Sequence, residues 1–297
     1  MIQSAIQRLF MTGGYFTIAL RRRKGGDILS ADPFEAEYVF PASKTEWCAD
    51  PMIAEENGKA FLFYEAVSNM KGRIEVRELR QDCTVTDPVV LFQDDGHYSY
   101  PFVFQANGSW YMIPESSDRE EVTLYRGDPF PFCWKSVCSV LHGRFVDTTV
   151  FPWKERWILL SFETDAASER VLPRAFELRF SDGVPTLDPL EWPTFDPLQV
   201  RGAGPVFRRG EDLIRPVQIS TEQRYGDSVS FHKISVMGKT YTESPVGGLT
   251  PDLVRGVHTR FDGLHTYSAC LHFEAIDIRC RRFDWKKPLR RLIKRMK

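Results

Sequence analysis

The chain has 297 residues, with 39 lysines and arginines against 40 acids, so its net charge is −1 and it carries no overall electrostatic footprint for nucleic acid. Hydrophobic residues at 42%, including 13% aromatic, supply a large core of strand-favouring type. The six cysteines (Cys48, Cys83, Cys133, Cys138, Cys270, Cys280) form no Cys-x-x-Cys pair and sit at no zinc spacing with histidines, so reduced thiols in a cytosolic setting are expected.

Residues 1–26 hold a short apolar patch (Ile6, Leu9, Phe10, Met11) followed by arginines, without the small-residue cleavage site of a signal peptide. No apolar run approaches the roughly 20 residues that cross a bilayer. Residues 15–20 and 36–40 read as strands. From there a similar phrase returns about every fifty residues. It runs from 49–53 back through 61–65, from 99–103 through 110–115, and from 146–150 through 157–163. A fourth copy runs from 204–207 through 213–218, and a fifth, the weakest, from 257–261 through 267–274. The turns Asn57-Gly58 and Asn107-Gly108 are strong hairpin signals; Lys154-Glu155 and Arg209-Gly210 are weaker ones. Further strand-like segments at 74–79, 89–92, 121–125, 137–141 and 228–234 follow the hairpins.

Four strands in each of five units describe an all-β, five-bladed β-propeller over residues 1–284. The fifth unit lacks outer strands of its own, and the two N-terminal segments would close the ring there. A pair of packed β-sandwiches would not explain the regular return. The remaining residues, 285–297, place Leu289, Leu292, Ile293 and Met296 on one helical face and Lys and Arg on the other, with Pro288 at the first turn. A short basic amphipathic helix suits a membrane surface or a docking partner; the plainer alternative is a solubilising tail packed on the propeller's side. The expected location is cytoplasmic, peripheral at the membrane if the tail binds it.

In a propeller blade the first strand lines the channel and the second returns to the face where it began. Residues at the open end of each hairpin therefore meet at one mouth. Asp50 with Glu65, Tyr100 with Glu115, Asp147 with Glu163, Gly204 with Gln218, and His258 with Glu274 are such pairs, and Arg201 and Arg215 lie close enough in sequence to join them. Carboxylates crowded with arginines and aromatics suit sugar binding, since rings stack on a pyranose face and charged groups take its hydroxyls. Like charges held together also drive pKa values apart, as acid–base chemistry requires. Each acid taken singly could equally cap a turn. No ligand spacing requires a metal or other cofactor, although the acids leave room for a divalent cation.

The phrase Trp47-Cys48-Ala49-Asp50-Pro51 with Phe61-Leu62-Phe63-Tyr64-Glu65 resembles the first blade of arabinanase and levansucrase-type five-bladed propellers. Four more phrases resemble the N-terminal domain of plant glucosamine inositolphosphorylceramide transferases and their bacterial relatives. They are Ser99-Tyr100-Pro101-Phe102-Val103 with Ile113-Pro114-Glu115-Ser116, Gly143 to Thr149, Arg215-Pro216-Val217-Gln218 with Tyr225-Gly226-Asp227, and Gly256-Val257-His258-Thr259. The resemblance covers most of residues 15–283 and implies carbohydrate chemistry. The propeller glycosidases use three acids; Asp50 matches the first and Asp147 the second. Where the third would fall, this chain has Arg201-Gly202-Ala203-Gly204-Pro205 and no acid, which argues against simple hydrolysis.

The expectation is a glycosyltransferase-like enzyme of cell-surface glycan or glycolipid synthesis. Asp50 would be the base, with Asp147 and Glu115 completing the catalytic set. Glu65, Tyr100, Glu163, Gln218, Tyr225 and His258 would bind the sugar, and Arg201 and Arg215 the phosphate of an activated donor. A non-catalytic glycan-binding module and a hydrolase with a displaced general acid are the alternatives.

Overall fold

The computed structural model describes residues 14–23, 32–43, 45–164, 171–181, 184–221 and 224–281. The expected tail, 285–297, lies outside these residues. Five four-stranded antiparallel sheets form the ring of a five-bladed propeller. Blade I comprises Glu46–Glu56, Lys59–Ser68, Lys71–Leu79 and Val89–Phe92; blade II comprises Ser99–Ala106, Ser109–Glu115, Glu121–Gly127 and Trp134–His142. Blade III comprises Phe145–Trp153, Arg156–Thr164, Val171–Ser181 and Val184–Leu190; blade IV comprises Phe207–Arg209, Asp212–Thr221, Arg224–Met237 and Thr240–Leu249. Blade V is built from both parts of the chain: Tyr267–Ala269 and Phe273–Cys280 pair onward with Tyr15–Arg22 and Tyr38–Val39. The N-terminal strand runs antiparallel to Phe273–Cys280 along its whole length, Tyr15 opposite Cys280 and Arg22 opposite Phe273. Ring closure by N-terminal strands is thus as expected.

One expected element is displaced. The repeat pattern places the inner strand of the fifth unit at 257–261 and its return at 267–274. The inner strand is instead Tyr267–Ala269, the turn is 270–272, and Phe273–Cys280 returns. The two segments carry similar aromatic and apolar patterns, and the inner strand is only three residues long, so pattern alone set the hairpin one strand too early.

The blades are held together by apolar side chains facing their neighbours. Between blades I and II, Phe61, Phe63, Phe102 and Phe104 share one cluster with Met112 and Leu124. Trp110 stacks on Phe130 with ring centroids 4.3 Å apart. Offset aromatic pairs of this kind add about 0.5–1.5 kcal/mol beyond the burial of their area.

The feature that shapes the mouth is a bulge repeated in three blades. The pairing of first and second strands slips between Ala49 and Met52, between Ser99 and Phe102, and between Val146 and Thr149. Within each slip lies one residue in the left-handed region: Asp50 at φ 53°, Tyr100 at φ 41° and Asp147 at φ 51°. Bulges re-aim a side chain, and non-glycine residues kept at positive φ mark places where the surroundings over-determine the backbone.

Candidate functional site

The three bulges turn their backbone N–H groups toward carboxylates. The Asp50 amide donates to Asp277 Oδ2 at 3.1 Å, crossing from blade I to blade V. The Tyr100 amide donates to Asp50 Oδ2 at 3.2 Å, and the Asp147 amide to Glu115 Oε2 at 3.1 Å. On the blade IV side the Gly204 amide donates to the Tyr100 hydroxyl oxygen at 2.9 Å. All five blades are linked at one mouth in this way. Gly204 has φ 125°, and a β-carbon there would stand 2.0 Å from the Tyr267 carbonyl oxygen, so only glycine fits.

Asp50 is buried and hydrogen-bonded on both oxygens, Oδ1 accepting from the Thr266 hydroxyl at 3.0 Å. Beside it stands an arrangement that sequence reasoning did not find. His265 presents Nε2 to Asp50 Oδ1 at 3.6 Å and Nδ1 to Asp277 Oδ2 at 2.5 Å. Asp277 is fully buried and also accepts from the backbone amides of His265 and Thr266 at 3.0 and 2.9 Å. The imidazole is stacked on Phe16 at 4.3 Å and edged by Tyr225 at 5.3 Å. Burial pushes Asp50 up to about 7 against the opposing pull of His265. For His265 burial acts to lower the pKa, but the Asp277 charge and hydrogen bond outweigh it and bring it up to about 9. Asp277 itself is held below the usual carboxylate range, because His265 more than offsets burial.

On the other side of the mouth Glu115 and Asp147 share a site with Arg201. Arg201 grips Asp147 bidentately, Nε to Oδ2 at 2.6 Å and Nη2 to Oδ1 at 3.1 Å, and lies over the Tyr225 ring at 5.3 Å. Burial, with the neighbouring Asp147 charge second, pushes Glu115 up to about 8. Burial thus favours the proton-bound form of both Glu115 and Asp50 over the ordinary carboxylate. Glu65 is buried and meets His97, whose Nε2 lies 3.0 Å from Oε1. Because His97 Nδ1 accepts from the Gly72 amide at 3.0 Å, the ring's proton sits on Nε2 and points at Glu65.

The structure thus brings Asp50, Glu65, Tyr100, Glu115, Asp147, Arg201 and Tyr225 together and adds His97, His265, Thr266 and Asp277. Four expected members stand elsewhere. Glu163 pairs with Phe145, one residue beyond the level at which Glu65 pairs with Ala49 and Glu115 with Ser99; Phe162 holds the equivalent position. A one-residue change of register sends a strand side chain to the opposite face, and Glu163 accepts from Arg174 on the half-exposed outside at 2.7 Å. Arg215 is buried against Phe162 and Trp192 and is bound bidentately by Glu243 at 2.8 and 2.6 Å. Its charge is committed to Glu243 within blade IV. His258 is exposed in the segment before blade V, a consequence of the hairpin misplaced in sequence. Glu274, the partner assumed for it, lies near the far turn and binds Arg21 and the Tyr267 hydroxyl.

Gln218 stands behind the site. Its backbone amide holds the Arg201 carbonyl at 3.0 Å, and its side chain donates to Ser220 Oγ at 2.9 Å, which in turn accepts the Gly226 amide beside Tyr225.

One atom each of Asp50, His265 and Asp277 lies within 4.8 Å of the others, close enough to surround a cation. The Asp277 oxygens already accept three backbone amides and an imidazole N–H, and both Asp50 oxygens have donors. Asp277 thus ties the trio together, bonded to the His265 ring and to the Asp50 amide, while His265 and Asp50 meet only in an ion-pair contact.

The model of the family of N-terminal domains of glucosamine inositolphosphorylceramide transferase 1 matches residues 36–259. The glucosamine inositolphosphorylceramide transferase 1 of Oryza sativa subsp. indica is 30% identical over 245 residues, covering 77% of this chain and 32% of the rice protein. The chain thus spans about a third of that relative's length. Among solved structures, the β-1,2-mannobiose phosphorylase of Listeria innocua superposes with a TM-score of 0.60 at 10% identity, covering 93% of this chain and 99% of the other. A family 117 glycoside hydrolase of Zobellia galactanivorans gives a TM-score of 0.54 at 13% identity, covering 90% of each. At such identities these two bear on the fold. The matched family model, by contrast, extends over most of the chain and takes in Asp50, Glu115, Asp147 and Arg201: the chain belongs to the family of glucosamine inositolphosphorylceramide transferase N-terminal domains.

Proposed function

We propose that this chain processes a carbohydrate by glycosyl transfer in the building of a cell-surface glycan or glycolipid. The observation that carries the reading is the placing of two carboxyl groups, Asp50 and Glu115, at one mouth, each accepting a backbone amide from a neighbouring blade. Burial pushes Asp50, beside His265, up to about 7 and Glu115, beside Asp147, up to about 8. In transfer, Asp50 takes the proton of the acceptor hydroxyl as its oxygen attacks the anomeric carbon. Glu115 gives its proton to the oxygen of the departing group, so proton and electron pair are both accounted for. Tyr225 offers its half-exposed ring for stacking on the sugar. The same two groups would serve a hydrolase with a displaced general acid, water replacing the acceptor.

The binding-module reading has one observation in its favour. Arg201 and Arg215, the cations expected to hold a donor phosphate, are bound to Asp147 and Glu243. Asp50→Asn decides between them. With sugar nucleotides and lipid-linked saccharides as donors, glycan binding retained and turnover lost supports the enzyme. A parent protein that binds glycans and turns over none of these donors supports the module. In the transfer reading, rate against pH should be bell-shaped, rising through about 7 as Asp50 ionises and falling through about 8 as Glu115 does. The work would be done at the cytoplasmic face of a membrane, with residues 285–297 as the contact. Liposome flotation that is equal with and without those residues would reject that placement.

A further inference from the structure

A cavity of about 270 Å³ lies on the same face of the propeller, at the outer edge of the acid cluster where blade I meets the segment leading into blade II. Its wall includes Ser68, Asn69, Lys71, Arg73, Gln93 and Asp94. Gly72 completes it and is also the partition from the acid cluster. A β-carbon at Gly72 would lie 2.6 Å from Glu65 Oε1, 2.8 Å from His97 Cε1 and 2.5 Å from the Tyr98 carbonyl oxygen. The backbone of Gly72 lies between the cavity and the Glu65–His97 pair.

The wall is held in place by its own bonds. The Gly72 carbonyl accepts from the Tyr98 amide at 3.0 Å, and Asp94 is gripped by the Tyr98 hydroxyl at 2.8 Å, the Gly96 amide at 2.8 Å and Arg119. Lys71 and Arg73 are balanced by Asp95 and Glu75, so the cavity has no bare charge to attract an anion. Asn69 and Gln93 are exposed at the cavity's rim, and among the described residues their side-chain amides have no protein hydrogen-bond partner. Each offers both a donor and an acceptor, as a sugar hydroxyl does. The volume lies just below the range of pockets for drug-sized ligands, which suits a single sugar ring.

We infer that this cavity is a second saccharide subsite, so that the ligand of the mouth is an oligosaccharide or glycan chain end, with the next ring seated past His97 on Asn69 and Gln93. The inference rests on the carbohydrate reading of the acid cluster and adds the length and direction of the ligand.

Calorimetry or ligand-observed NMR on the full chain tests it with matched pairs: glucosamine and its β-1,4 disaccharide, mannose and β-1,2-mannobiose, galactose and β-1,3-galactotriose, xylose and xylobiose. For the pair that binds, the longer sugar should bind roughly tenfold tighter than the monomer, as one more ring seated in the cavity would give, whether one or two rings are added. Asn69→Gly combined with Gln93→Ala should erase that gain and leave the monomer's affinity unchanged. Asn69 has φ 52°, so glycine keeps the turn. Asp50→Asn should leave the gain from monomer to longer sugar intact. A longer sugar that binds no tighter than its monomer, or a gain that survives the double substitution, overturns the subsite alone. If no sugar of the panel binds the parent protein, the carbohydrate reading fails and the subsite falls with it.

Discussion

At the scale of single residues the site is governed by proton affinity. Asp50, Glu115 and His265 have ordinary values of 3.8, 4.5 and 6.5 and are brought up to about 7, 8 and 9 in the fold. A group that binds its proton more tightly when folded stabilises the fold fully below its free value and loses that contribution as pH rises through its folded value. All three act in the same direction, so the melting temperature is expected to fall as pH climbs from about 5 to 9. In His265→Gln the last part of that fall, toward pH 9, should be missing from a fluorimetric melting series; a flat or rising profile in the parent protein would contradict the arrangement. Asp50 and Asp147 were legible in the sequence because the repeat sets them at equivalent places on first strands, and Glu115 because it matches Glu65 on the second. His265 and Asp277 were not, because the misplaced fifth hairpin put neither at the mouth. An acid at position 277, inside the apolar run Ala275-Ile276-Asp277-Ile278, was the available clue. His97 precedes its bulge by three residues and has no counterpart in other blades.

At the scale of strands and hairpins, register decides which acid takes part. The pairs Asp50–Glu65 and Tyr100–Glu115 are fifteen positions apart and Asp147–Glu163 is sixteen, a difference visible in the sequence whose structural effect is to turn Glu163 outward. Glu163→Ala should therefore leave sugar affinity as it was, whereas Glu115→Gln should lower turnover; equal losses would contradict the assignment. Arg215 illustrates a charge whose neighbourhood alone, not its place in the repeat, determines its role. It joins the second strand of blade IV to Glu243 on the fourth, under Phe162 and Trp192 of the adjacent blade. Leaving one member of a buried pair without the other costs about 3–5 kcal/mol, while replacing both with apolar residues of similar size is often neutral. Arg215→Met should thus sharply lower the urea midpoint, and Arg215→Met with Glu243→Leu should restore most of it.

At the scale of the molecule, the regular return in sequence was sufficient to infer the propeller, since a radial array is the arrangement in which equal units each meet two neighbours. It also gave the identity of the closing strand. Removing residues 1–22 would leave Phe273–Cys280 as an open edge and the Asp277 carboxylate without its blade. Size-exclusion chromatography of that truncated chain should show aggregates and no cooperative melt; a monodisperse, cooperatively melting product would contradict the closure.

The closing strand also fixes an order of assembly. Tyr15–Arg22 is synthesised first, yet its partner Phe273–Cys280 leaves the ribosome some 250 residues later. Until then Asp50 has neither an acceptor for its amide nor an imidazole beside its carboxylate, since both come from blade V. Nascent chains short of that point lack the contacts of Asp50 with Asp277 and His265, which form only when translation of the ring is all but complete.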